Sequence, residues 1–141
     1  MYGTQLAGAP SYRRDLGEPW KVKRILWTTM SKTRMAAGIK ALREAGDTET
    51  FKGFDPEGGG LLPMIANDED IAAMIDGTQW VKQKMDALRA HATQVTADGP
   101  FFSGAKVLGD SMWSHEHYRF VDGIGFPDPE SWADDIFAGL D

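Results

Sequence analysis

A chain of 141 residues suits one domain of ordinary size, able to bury roughly two thirds of the surface its unfolded form exposes. Its 15 Lys and Arg stand against 21 Asp and Glu, and a net charge of -6 excludes the basic footprint that binding a nucleic-acid backbone requires. Cysteine is absent, which removes disulfides, thiolate nucleophiles and cysteine-ligated zinc at once and fits a reducing compartment.

Apolar residues at 42% and charged residues at 26% make a globular composition, while 16 Gly and 7 Pro imply long irregular connections. No internal period of about 20 to 50 residues marks a repeat protein. The first residues lack the apolar core of a signal peptide, and no run approaches the roughly 18 apolar residues of a membrane helix. The expectation is a soluble, cytoplasmic protein with neither a membrane nor nucleic acid as partner.

The opening segment to Pro19 is rich in Gly, Pro and Arg and reads as an approach to structure. From Lys23 to Thr29 the sequence turns β-branched and aromatic, and Val22, Arg24, Leu26 and Thr28 alternate with Lys23, Ile25, Trp27 and Thr29 as on a strand. Ser31 fits the N-cap of a following helix, although Arg34 at N3 is not the Glu or Gln of a capping box. Met35, Ile39 and Leu42 keep helical spacing, and Gly46 sits where a C′ glycine ends a helix. The loop from Asp47 to Pro63 contains Phe51, Phe54 and the run Gly58, Gly59, Gly60. No phosphate-loop motif accompanies that run, so it reads as a flexible connection.

Asp70 to Asp76 alternates like a short second strand, with helix as the alternative. The longest periodic stretch follows, from Gln79 to Val95, with Val81, Met85, Leu88, Ala92 and Val95 forming one apolar stripe of a helix. The neighbouring row, from Trp80 through Lys84 and Ala87, ends in His91 and Gln94, three residues apart on one face. Asp98-Gly99-Pro100 stops this helix. A short helix is expected around Val107 to Met112, and His117 to Val121 reads as a third strand closed by Asp122-Gly123. After the turn Phe126 to Pro129, Trp132 and Ile136 to Leu140 suggest a last short helix packed back on the body.

His115-Glu116-His117 is the pattern most suggestive of a metal, because i, i+2 residues of a strand project to one side. A zinc site needs further ligands, and no H-E-x-x-H or fourth ligand at familiar spacing accompanies the pair, so ordinary hydrogen-bonded histidines at a strand start are the preferred reading. No G-x-S-x-G elbow surrounds any serine. The acids Asp68, Glu69, Asp70, Asp134 and Asp135 lie in turn-like or terminal sequence, where carboxylates mostly cap helices or face water. The residues alone present no catalytic constellation.

KMDALRAHATQ, at the end of the long helix, resembles the closing motif of the zinc-dependent GlcNAc-PI de-N-acetylase family, the PIG-L or LmbE-like enzymes. RRDLGEPWKVKRILWTTM, ALREAGDTETFKGFDPEG, SMWSHEHYRFVDG and DDIFAGLD are similar, in the family's order, to the carboxy-terminal half of its mycothiol-pathway deacetylases. The resemblance implies an α/β, Rossmann-like fold for the family and, for this segment, a small mixed sheet with helices, α+β in character. It also implies zinc as cofactor and hydrolysis of the N-acetyl group of N-acetylglucosaminyl-inositol as reaction. The family holds zinc through an A-H-P-D-D-E type motif, whose second aspartate is the base, and a later H-P-D-H histidine. Neither motif occurs here, and in the family both precede the segment that begins at Arg13. The implied chain is therefore the carboxy-terminal part of such a domain without its zinc-binding half, with no catalytic residue or metal ligand of its own and no deacetylase activity alone.

By the same resemblance Gln94 contacts substrate, its amide donating to and accepting from sugar or inositol hydroxyls, with His91 beside it. The alternative for both is a purely structural role at the helix end. Glu116 and Tyr118 match the family's E-x-Y pattern and position that rim. Other readings are a mycothiol S-conjugate amidase fragment, which shares RAHATQ and the DD-φ-FAG piece (φ apolar), a non-catalytic binding module, or a half-enzyme completed in trans by an amino-terminal half. Three short strands and many loop glycines lead to an expectation of marginal stability or self-association.

Overall fold

At Arg24 the Pro- and Gly-punctuated sequence gives way to Ile, Leu, Trp and Thr, residues that fit a pleated, half-buried surface, and the central strand β1 runs from Arg24 to Ser31. The computed structural model describes residues 2–53, 64–96 and 98–140. Among them β2 (Ile65–Ala66), β3 (Ala73–Asp76) and β4 (His115–Gly123) join β1 in one sheet of order β2-β1-β4-β3. β2 runs parallel to β1, whereas β4 is antiparallel to both β1 and β3. The result is the small mixed sheet with helices that the sequence suggested.

Register places Leu26 opposite Phe120 and Thr28 opposite Tyr118, so those side chains share one face, while Trp27 and Thr29 oppose Arg119 and His117 on the other. A bulge between Ile25 and Leu26 in the pairing inserts one extra residue on β4 and bends its end. Helix α1 (Tyr2–Ala7) is short and buries nothing, and its six residues carry no apolar period. Helix α2 (Lys32–Glu44) starts as expected: the Ser31 hydroxyl accepts a hydrogen bond from the Arg34 amide at 3.1 Å. Gly46, at φ +88°, follows its end.

Helix α3 (Val81–Ala90) and helix α4 (Pro100–Leu108) pack their apolar faces together beside the sheet. Met85, Phe102, Ala105 and Trp113 are the buried centre, with Met30 of β1 and Val81, Leu88 and Val95 packed against it. The Trp113 indole N–H donates to the Phe101 carbonyl at 2.9 Å, so the ring is buried with its polar atom satisfied.

Several boundaries differ from the sequence expectation, each for a local reason. The long helix ends at Ala90; His91 is its C-cap, and the amides of Gln94 and Val95 both donate to the His91 carbonyl at 2.8 Å. Val95 thus reaches the core by a turn, a route that the apolar spacing cannot distinguish from a helical one. Gly99-Pro100 starts α4 instead of merely stopping α3, because a proline at N1 loses no helical hydrogen bond. The expected helix at Val107 to Met112 is therefore displaced toward the amino terminus, and Gly109, at φ +84°, separates α4 from a 3₁₀ turn over Asp110–Trp113. β2 is two residues long, too short to carry any period. Gly58, Gly59 and Gly60 lie outside the described residues.

The expected last helix is a turn. Arg24 fastens this tail to β1: its guanidinium donates to the carbonyls of Ile124 at 2.8 Å, Gly125 at 2.7 Å, Ile136 at 2.7 Å and Ala138 at 2.9 Å, and lies 3.9 Å over the Phe126 ring. Ala133 instead adds a bridge to Ala73 on the β3 edge. Gly123 completes the anchor. Its φ is +97°, and a methyl group there would sit 2.2 Å from the Lys23 carbonyl oxygen. Gly123→Ala is expected to destabilise the fold by about 1–3 kcal/mol, read as a lower urea midpoint at unchanged slope.

Candidate functional site

β1 and β2 are parallel and finish side by side, and in open sheets ligands collect outside the carboxyl ends of such strands. A cavity of about 660 Å³ lies there, bounded by the end of β1, the first turns of α2, the inner face of α3 and the Asp110–Trp113 turn. Its floor is apolar, formed by Met30, Met35, Leu88, Phe101 and Met112. Its polar wall comes from Ser31, Arg34, Lys84, Glu116 and His117. That combination, apolar lining with few placed polar groups, is the usual form of a small-molecule site.

Each polar group is held by a different element. The Ser31 hydroxyl donates to the Asp68 carboxylate at 2.7 Å while accepting from Arg34, which ties the start of α2 to the 3₁₀ turn Asp68–Asp70. Burial pushes the Asp68 carboxyl up, but hydrogen bonds from Ser31 and Thr33 outweigh it and hold the group below the usual carboxylate range. Lys84 of α3 pairs with Glu116 of β4 and donates to the Trp113 carbonyl at 2.9 Å. Tyr118 is raised above its ordinary value by burial and then by Glu116. The Lys84–Glu116 pair thus ties α3 to β4.

The histidines separate. His115 lies 2.9 Å through Nδ1 from the buried Ser114 hydroxyl, with Asp76 of β3 opposite it in register. His117 is buried with its ring edge-to-face on Trp132, centroids 5.7 Å apart. Among the described residues no three His, Asp or Glu side chains are grouped to hold a metal ion, and His115 and His117 do not form a zinc cage. His91 and Gln94 are both exposed, in the turn after α3, and neither lines the cavity. Leu88 faces that cavity, and Ala92 and Val95 line a second one of about 400 Å³.

Sequence reasoning passed over Arg34, Lys84 and the Ser31–Asp68 bond. Ser31 was visible as a cap, and Lys84 stands on the same helical row as His91. Asp68 carries no local signal, because its partner lies far away in the chain.

No family model matches the chain. Curated relatives match nearly all of it. It is 46% identical over 99% of its length to a 1D-myo-inositol 2-acetamido-2-deoxy-alpha-D-glucopyranoside deacetylase of Nocardioides, 44% identical to the protein of that name from Kribbella flavida, and 40% identical to that from Geodermatophilus obscurus. The chain is thus a homologue, over its own length, of the inositol-linked N-acetylglucosamine deacetylases, as its motifs indicated. It spans about half the length of these relatives, between 46% and 47%.

The Lys84–Glu116 pair is 31% and 38% exposed, so water screens it and its coupling is expected to be about 0.5–1 kcal/mol. A double-mutant cycle with Lys84→Met and Glu116→Gln, followed by urea unfolding, measures that value.

Proposed function

We propose that these 141 residues form one rim of the substrate cleft of a zinc-dependent deacetylase that acts on N-acetylglucosaminyl-inositol in mycothiol biosynthesis. The observation that carries this reading is identity of 46% and 44%, over 99% of the chain, to relatives named for that chemistry. On this reading the metal ligands and the general base come from sequence other than these residues, since neither zinc motif occurs among them. A soluble cytoplasmic enzyme fits, and no described helix is long and apolar enough to cross a membrane.

Gln94 and His91 are the residues proposed to meet substrate. Their exposure in the turn after α3 leaves the Gln94 amide and the His91 imidazole open to hydroxyl groups, and a polyhydroxylated ligand suits groups that both donate and accept. The turn that carries them is fixed by two backbone hydrogen bonds to the His91 carbonyl, so both side chains leave a defined scaffold. Lys84 and Glu116, which couple α3 to β4, keep that scaffold in register with the cavity.

Binding and hydrolysis are expected to separate. The purified chain, supplied with zinc, releases no acetate from N-acetylglucosaminyl-inositol, yet glucosaminyl-inositol perturbs its amide NMR spectrum saturably around residues 88–95. Gln94→Ala weakens that binding about fivefold, the loss of one net hydrogen bond of about 1 kcal/mol. Acetate release by the chain alone, or the absence of any saturable perturbation, contradicts the reading.

A further inference from the structure

His117 is 7% exposed, and its Nε2 is a buried polar atom with no hydrogen-bond partner. A native interior seldom leaves such an atom alone, because an unmade hydrogen bond costs about 1–3 kcal/mol. The atom is closed to water, so a ligand in the adjoining cavity does not reach it without movement of whatever covers the ring.

Each element around the imidazole contributes something different. Thr29 of β1 and Met74 of β3 stand opposite it in register, and neither titrates. Arg34 of α2 and His115 of β4 oppose a positive charge there, while Asp68 and Glu116 favour one. Burial is the largest effect, and with Arg34 it holds the imidazole below its ordinary range in the closed structure. The remaining cover is Trp132.

Three hydrogen bonds hold that cover directly. The Trp132 indole N–H donates to the Asp68 carbonyl at 3.1 Å. Next to it, the Ala133 amide donates to the Ala72 carbonyl at 3.0 Å and the Met74 amide donates to the Ala133 carbonyl at 2.9 Å. These two bonds occupy the outer edge of β3, whose inner edge is held by β4. β1 and β4 pair with each other inside the sheet, whereas Trp132 and Ala133 sit at its edge, so these two form the wall that can move at least cost.

We propose that protonation of His117 releases Trp132 and Ala133 from the β3 edge, so that acid opens this edge while the central β1–β4 pair stays folded. The released state hydrates the imidazolium and exposes the amide of Met74 and the carbonyl of Ala72 as an unpaired strand edge, a surface able to pair with a second copy. The sign follows from linkage. The closed form resists the proton and the open form takes it near the ordinary histidine value of about 6.5, so opening grows as pH falls below about 6.5.

Amide hydrogen exchange, corrected for its intrinsic pH dependence, tests this on the whole chain between about pH 8 and about pH 5. The expected result is that protection of Met74 and Ala133 falls by up to about tenfold per pH unit below about 6.5, while the β1–β4 amides keep theirs. In His117→Leu the edge amides no longer respond to pH, and in Trp132→Ala they are unprotected throughout. Equal loss at the edge and in the centre means global acid unfolding and overturns the proposal, as does an edge response that persists in His117→Leu. Should His117→Leu not fold, the wild-type comparison of edge and centre still decides.

Discussion

The antiparallel pairing of β1 with β4 is the constraint on which the rest of the structure depends. It joins Arg24 to Gly123 and Thr29 to His117, near opposite ends of the chain, and every element of the candidate site hangs from one of these two strands. β1 leads through Ser31 into α2 and carries β2 on its outer side. β4 holds β3 and, through Glu116, draws α3 onto the sheet. Such pairing is non-local, so its loop-closure entropy must be met before the short elements around it gain anything from packing.

Arg24 is where that constraint becomes chemically specific. A strand residue that is partly buried would ordinarily be apolar, but a planar guanidinium donates in several directions at once and so satisfies four carbonyls that no regular element claims. The tail is thereby fastened as an irregular segment, and Gly123 allows the close crossing of β4 over Lys23 that brings the carbonyls within reach. The same fastening places Trp132 and Ala133 beside β3. An edge strand of four residues is protected in this way without a fifth strand.

How much was legible in the sequence follows the range of each interaction. Ser31 as a cap and Gly46 as a helix stop were readable because capping acts over three or four residues, and β1 was readable because its alternation persists through eight. The apolar stripe of α3 was correct about burial for Met85, Leu88 and Val95, but not about conformation, since Val95 packs on the core from a turn. Gly99-Pro100 carried two meanings, a stop and a start, and only the packing of Phe102 and Ala105 against Met85 favours the start. The two-residue β2 and the Ser31–Asp68 bond had no local trace at all. Family resemblance supplied the functional reading, and composition did not.

Helix α3 stands between two cavities. Leu88 looks into one, and Met85, with Ala92 and Val95 of the following turn, into the other, while that turn carries the exposed His91 and Gln94. On the proposed reading a neutral polyol gains little from the apolar floor and much from paired donors and acceptors, so His91 and Gln94, and not the floor, would recognise its hydroxyls. The floor bears on them through α3: Met30 and Met112 pack on the core that Met85 of the helix enters, and Lys84 and Glu116 hold the helix to β4.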